Sequence, residues 1–152
     1  MSGVRKATVD DVNRILKLVN TYADQELMLP KTPFKVYKNL QNYVVAEEEG
    51  QIVGCAALVV LWRDLAEICS LAVEKPYTGR GIGKNLVNTC IEKAKGLKVP
   101  QLIVLTYQDR FFEKMGFHWV DRDSFPRKLM WECLECPKLE ACDEQAYLID
   151  LK

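Results

Sequence analysis

The sequence predicts a mixed α/β chain, a central sheet flanked by helices, and three observations carry that reading. The stretch YVVAEEEGQIVGCAALVVLW (43–62) splits into two β-rich runs around a polar turn containing Gly50, which is a hairpin pattern. Further short apolar strands then alternate with helical patterns, the order that sets helices against sheet faces. Glycines at 79, 81 and 83 stand where one of those strands gives way to a helix.

Each element follows in order. VRKATVDDV (4–12) reads as a short strand running into a helix. Thr8 and Asp11 have the spacing of a capping box, and Val12, Ile15, Leu16 and Val19 recur at helical intervals. A second helix is predicted over Pro33–Asn42, led by a proline that a first turn tolerates. After the hairpin, LAEICSLAV (65–73) is an apolar, alternating strand. The helix beyond the glycines carries Leu86, Val87, Cys90, Ile91 and Ala94 on one face. QLIVLT (101–106) is a short buried strand, and RFFEKMGF (110–117) a short helix closed by Gly116. QAYLIDL (145–151) returns as a strand. The predicted order is β-α-α-β-β-β-α-β-α-β-β.

Bulk properties narrow the function classes. The 152 residues, 49% of them hydrophobic, suit one domain around a single core over 1–152. Twenty-one basic and 21 acidic residues cancel, which argues against a nucleic-acid or membrane-surface partner. IVGCAALVVLW (52–62) is the strongest apolar run, and Arg63 and Asp64 end it well short of a membrane span. MSGVRKATVDD is polar and unlike a signal peptide. Six cysteines without a secretory pattern point to reduced thiols and a cytoplasmic chain.

The glycine turn suits backbone amides aimed at phosphate oxygens at a helix N-terminus. Two familiar phosphate loops fail on spacing. A Walker loop ending at Gly83 requires glycine at position 78, which is Thr78, and Ser or Thr at position 85, which is Asn85. A dinucleotide fingerprint from Gly79 requires glycine where Lys84 stands, and one from Gly81 where Leu86 stands.

LAVEKPYTGRGIGKNLV (71–87) instead resembles the acetyl-CoA signature of the GCN5-related N-acetyltransferases, a strand leading to an Arg/Gln-x-x-Gly-x-Gly/Ala loop and a helix. Gly81 and Gly83 match the two glycines; Thr78 replaces the leading Arg or Gln. The resemblance implies that fold over about residues 4–120, with a cysteine-bearing segment at 125–152. It also implies that main-chain groups of Leu71, Ala72 and Val73 meet the pantetheine arm. Gly79, Arg80, Gly81, Ile82, Gly83 and Lys84 would hold the pyrophosphate. Small members of the family often form homodimers.

DLAEICSLAV, VLTYQDRFFEKMGF and FPRK are further similar to the acetyltransferase domain of bacterial N-acetylglutamate synthases, in a short form without the kinase-like domain. By that resemblance the substrate is L-glutamate, a small amino acid, and attack on acetyl-CoA is direct within a ternary complex. The chemistry needs a base, because an amino acid's ammonium must lose a proton before it attacks a thioester. Glu67 is the only acid on its strand, and a carboxylate among Leu65, Ala66 and Ile68 is expected to be partly desolvated. Thr106 matches the general acid proposed for these synthases, with Tyr107 as the spare candidate. Many relatives carry a tyrosine where this chain has Phe112. Two substrate carboxylates call for cations, and Lys31 and Lys128 match basic positions of the synthases; Lys35 and Lys38 read as solvated surface.

Cys133, Cys136 and Cys142 have partial zinc-site spacing but lack a fourth ligand, so three reduced thiols are expected, with zinc as the alternative. Cys55, Cys69, Cys90 and the sole histidine, His118, read as packing residues. Two other functions remain open: an acetyltransferase for another amino acid, a polyamine or a protein amine, and a non-enzymatic CoA-binding or thiol- or metal-sensing module.

Overall fold

The computed structural model describes residues 3–24, 31–121 and 145–151. Its strands are β1 (Gly3–Lys6), β2 (Tyr43–Glu48), β3 (Gln51–Trp62), β4 (Leu65–Val73), β5 (Gln101–Thr106), β6 (His118–Val120) and β7 (Gln145–Asp150). Its helices are α1 (Val12–Ala23), α2 (Pro33–Lys38), α3 (Ile82–Gly96) and α4 (Asp109–Lys114). Among the described residues, the order of strands and α-helices is the predicted one. The strands make one seven-stranded sheet in the order β1-β2-β3-β4-β5-β7-β6. It is mixed: β4 and β5 run parallel, in register at Ala66↔Leu102 and Glu67↔Ile103. The β1–β2, β2–β3, β5–β7 and β6–β7 pairs are antiparallel. The chain groups into two compact units, residues 1–59 with 68–93, and residues 60–67 with 94–152.

In the first unit, α1 buries Val12, Ile15, Leu18 and Val19 against Tyr43, Val45 and Cys55 of the sheet. Its start is set by the Thr8–Asp11 spacing. The Asp11 carboxylate accepts a hydrogen bond from the Thr8 N–H at 2.8 Å. Arg5 grips the same carboxylate with two guanidinium bonds, at 2.7 and 3.1 Å. Arg5 thereby holds the Asp11 carboxyl below the usual range. A depressed folded-state pKa contributes stability above the ordinary Asp value of about 3.9, lost as pH falls through the folded value. Asp11→Asn is therefore expected to lower the melting temperature at pH 7. It should also flatten the acid limb of a melting curve measured from about pH 6 to pH 2.

α2 is shorter than its predicted span. Asn39 ends it, with both its backbone N–H (3.1 Å) and its side-chain amide (2.9 Å) donating to the Lys35 carbonyl. A side chain that competes for helical carbonyls closes a helix rather than extending it. Leu40–Asn42 then make a separate 3₁₀ turn.

In the second unit, Leu65, Ile103, Ala146 and Leu148 form an apolar cluster. Phe112 is fully buried and meets Phe111 and Phe117 edge-to-face, at 5.0 and 5.2 Å between ring centres. His118 does not pack as expected: it is exposed on β6, the terminal strand of the sheet order. Cys55 and Cys90 are buried and Cys69 is half-buried. Burial pushes the Cys55 and Cys90 thiols up to about 12, so both are inert nucleophiles near neutral pH. None of the described helices is long and apolar enough to cross a membrane.

Candidate active site

The glycine turn lies between β4 and α3. After β4, Lys75–Tyr77 make a 3₁₀ turn that Thr78 closes, its hydroxyl donating to the Lys75 carbonyl at 2.8 Å. Gly79 and Gly81 follow at φ +80° and +82°, the left-handed region that disfavours any side chain. A Cβ at either would meet nothing within 4 Å, so backbone conformation and not crowding demands glycine there. The first bond of α3 runs from the Asn85 N–H to the Gly81 carbonyl, 3.0 Å. The N–H groups of Ile82, Gly83 and Lys84 therefore have no acceptor within the helix and sit at its positive end. Arg80 and Lys84 are exposed beside them, with the Arg80 guanidinium 4.9 Å from the centre of the Tyr77 ring.

What steadies this turn is a residue that sequence reasoning passed over. Ile82 and Leu86 are buried. At Gly54 of β3, a Cβ would lie 3.1 Å from Leu86 Cδ1 and 3.3 Å from both the Ala72 carbonyl and Ile82 Cγ2. A side chain there would make Leu86, Ile82 or the Ala72 carbonyl give way by a few tenths of an ångström, so glycine eases the close approach of the first turn of α3 to the sheet. The available signal was a lone glycine inside a β-rich run.

The end of β4 presents its main chain on two sides. The Glu74 N–H donates to the Val53 carbonyl of β3 at 2.8 Å. Strand alternation turns Ala72 toward β3 as well, and Leu71 and Val73 away from it. The Val73 carbonyl accepts a hydrogen bond from the Tyr22 hydroxyl at 2.5 Å. Upstream, buried Ser70 holds φ +56°, a strained backbone for a non-glycine residue. Its carbonyl accepts from the Cys55 thiol at 3.4 Å. No pattern in the sequence announces that kink.

In the second unit, Glu67 is buried, 3% exposed, on β4. Alternation puts it on the sheet face of Leu65, and its register partner on β5 is Ile103. Thr106 is buried at the end of β5, where its oxygen accepts the Gln108 N–H at 2.8 Å. That bond uses an acceptor lone pair and leaves the hydroxyl proton to be donated elsewhere. Tyr107 is half-buried. Phe112 lies within its aromatic trio and has no proton to give.

Lys31 is half-buried, and the Asn20 side chain brackets its main chain: Lys31 N–H to Oδ1 at 3.0 Å, Nδ2 to the Lys31 carbonyl at 3.2 Å. Lys35 and Lys38 are exposed, as expected of surface lysines. Lys128 and the cysteines at 133, 136 and 142 lie outside the described residues. Among the described residues, no group of three His, Cys, Asp or Glu side chains is placed to hold a metal.

Residues 9–117 match the acetyltransferase (GNAT) family model. The chain is 34% identical over 143 residues to an uncharacterized N-acetyltransferase of Chlorobaculum tepidum, covering 94% of this chain and 92% of that one. It is 41% identical over 117 residues to an amino-acid acetyltransferase of Mycobacterium tuberculosis, covering 75% of this chain and 67% of that protein. Among solved structures, a Mycobacterium tuberculosis protein in complex with CoA and NLQ superposes with a TM-score of 0.86 at 32% identity. The match covers 98% of this chain and 99% of that one.

Proposed function

The chain belongs to the GNAT acetyltransferase family, and from that premise we propose that it transfers the acetyl group of acetyl-CoA to the α-amine of L-glutamate. The observation that carries the reading is Glu67, a carboxylate buried on β4, the strand that leads into the glycine turn. Kinship with an amino-acid acetyltransferase at 41% identity supports an amino acid as acceptor.

By this reading, the pyrophosphate of acetyl-CoA lies against the N–H groups of residues 82–84, with Arg80 and Lys84 as its cations and Gly79, Gly81 and Gly83 leaving room for it. Leu71 and Val73 offer outward main-chain groups to the pantetheine arm. Glu67 takes a proton from the substrate ammonium, directly or through water. The freed nitrogen attacks the thioester carbonyl carbon, a C–N bond forms and the C–S bond breaks. The departing thiolate takes a proton from the Thr106 hydroxyl, with Tyr107 as the alternative donor, and the second proton that the acylated nitrogen sheds restores that hydroxyl. Lys31 and Lys128 pair with the substrate carboxylates as point charges, less selective than a guanidinium fork. The inertness of the buried Cys55 and Cys90 thiols favours direct attack over an acetyl-cysteine intermediate. The product would open arginine biosynthesis in the cytoplasm.

The test is CoA release from acetyl-CoA with a panel of L-amino acids and polyamines at matched concentrations. Turnover selective for glutamate is expected. Turnover with a different amine alone keeps the acetyltransferase and removes glutamate. Acetyl-CoA binding without turnover on any amine would turn the reading toward a binding module.

A further inference from the structure

The last turn of α1 holds main-chain groups at two places that the proposed reaction uses. Asn20 takes both hydrogen-bonding groups of Lys31, accepting its N–H at 3.0 Å and donating to its carbonyl at 3.2 Å. A side-chain amide bound at both points fixes the orientation of the Lys31 backbone as well as its position. The next residue, Thr32, caps α2 by accepting the Lys35 N–H at 3.3 Å, so the chain is also held immediately after Lys31. Two residues after Asn20, the Tyr22 hydroxyl reaches Val73, 51 positions along the chain, and donates to its carbonyl at 2.5 Å. That bond fixes the orientation of the peptide through which β4 enters the glycine turn. It also leaves the Val73 N–H as the outward-facing donor of that residue. The side-chain amide of Asn20 and the phenol of Tyr22 are half-buried and belong to one rigid helical turn, which ends at Ala23.

We propose that Asn20 and Tyr22 are positioning residues on one helical turn, Asn20 acting through Lys31 on the acceptor carboxylate and Tyr22 acting through Val73 on the pantetheine arm. The proposal rests on the acetyltransferase reading of the site. It predicts a division of labour that a purely structural role would not produce. A helix turn that only supports the fold would, when weakened, impair both substrates together and in proportion to lost stability.

The experiment measures KM for glutamate, the dissociation constant of acetyl-CoA by calorimetry, and the melting temperature, for the full chain and four variants. Asn20→Ala is expected to raise KM for glutamate about three- to tenfold, the range set by losing neutral hydrogen bonds, and to leave acetyl-CoA affinity unchanged. Tyr22→Phe is expected to weaken acetyl-CoA binding by a similar factor and to leave KM for glutamate unchanged. Lys31→Ala should raise KM for glutamate, and adding Asn20→Ala to it should raise KM no further, since Asn20 acts through Lys31. Parallel losses on both substrates in either single variant, or additive effects in the double variant, overturn the proposal. The calorimetric arm needs no acceptor. If the amine panel returns an acceptor other than glutamate, the substrate assignment falls, and the same cycle is read on that amine's KM.

Discussion

Glu67→Gln is expected to cut turnover of L-glutamate by about 10²- to 10⁴-fold, the contribution of a positioned general base. Gln is nearly isosteric and keeps a polar group in the same buried place, so the change removes basicity with little change in volume. Acetyl-CoA affinity should stay within about twofold, because the residues proposed to hold the pyrophosphate carry their own amides and cations. A pH series separates a lost base from a damaged fold. Without a base, reaction depends on amine that is already neutral in solution, so the variant's rate should climb steadily with pH. The unmodified chain should level off once Glu67 is ionised. A variant whose rate stays flat with pH, or which loses acetyl-CoA binding in parallel, would remove Glu67 from the role of base and leave it a structural carboxylate.

How much of this was readable beforehand differs from residue to residue, for physical reasons. The order of elements was legible because it rests on local periodicity. The glycine turn was legible because positive φ is a local requirement that almost only glycine meets. The features read from contacts were not. Asn39 ends α2 early through a side-chain bond to Lys35, a competition that helical periodicity does not register. Gly54 matters because Leu86 and Ile82 come down on it from more than 25 residues away in the chain. Tyr22 and Asn20 belong to no sequence motif, and their bonds to Val73 and Lys31 exist only once the chain has folded. His118, flanked by aromatics, suggested packing, yet it sits on a three-residue strand at the end of the sheet. Candidate chemistry was therefore visible as residue types at set spacings, whereas the groups that orient it emerge from tertiary contacts.

Gly81→Val is expected to weaken acetyl-CoA binding by about 10- to 150-fold, the equivalent of one charge-assisted hydrogen bond worth about 1.5–3 kcal/mol. Gly81 holds φ +82°, and a β-branched residue there must rotate the peptide out of the left-handed region or carry its strain. Rotation would redirect the N–H groups that open α3, which are the groups proposed to face the pyrophosphate. Gly50 supplies a matched control, since it holds φ +81° in the β2–β3 turn and, like Gly81, has nothing within 4 Å of an added Cβ. The two substitutions therefore carry the same local backbone cost and should lower the melting temperature by similar amounts. Only Gly81→Val should lose acetyl-CoA, as measured by calorimetry. Equal affinity in the two variants would show that the turn does not hold the pyrophosphate. A binding loss in both would trace the effect to stability and remove the glycine turn from the cofactor site.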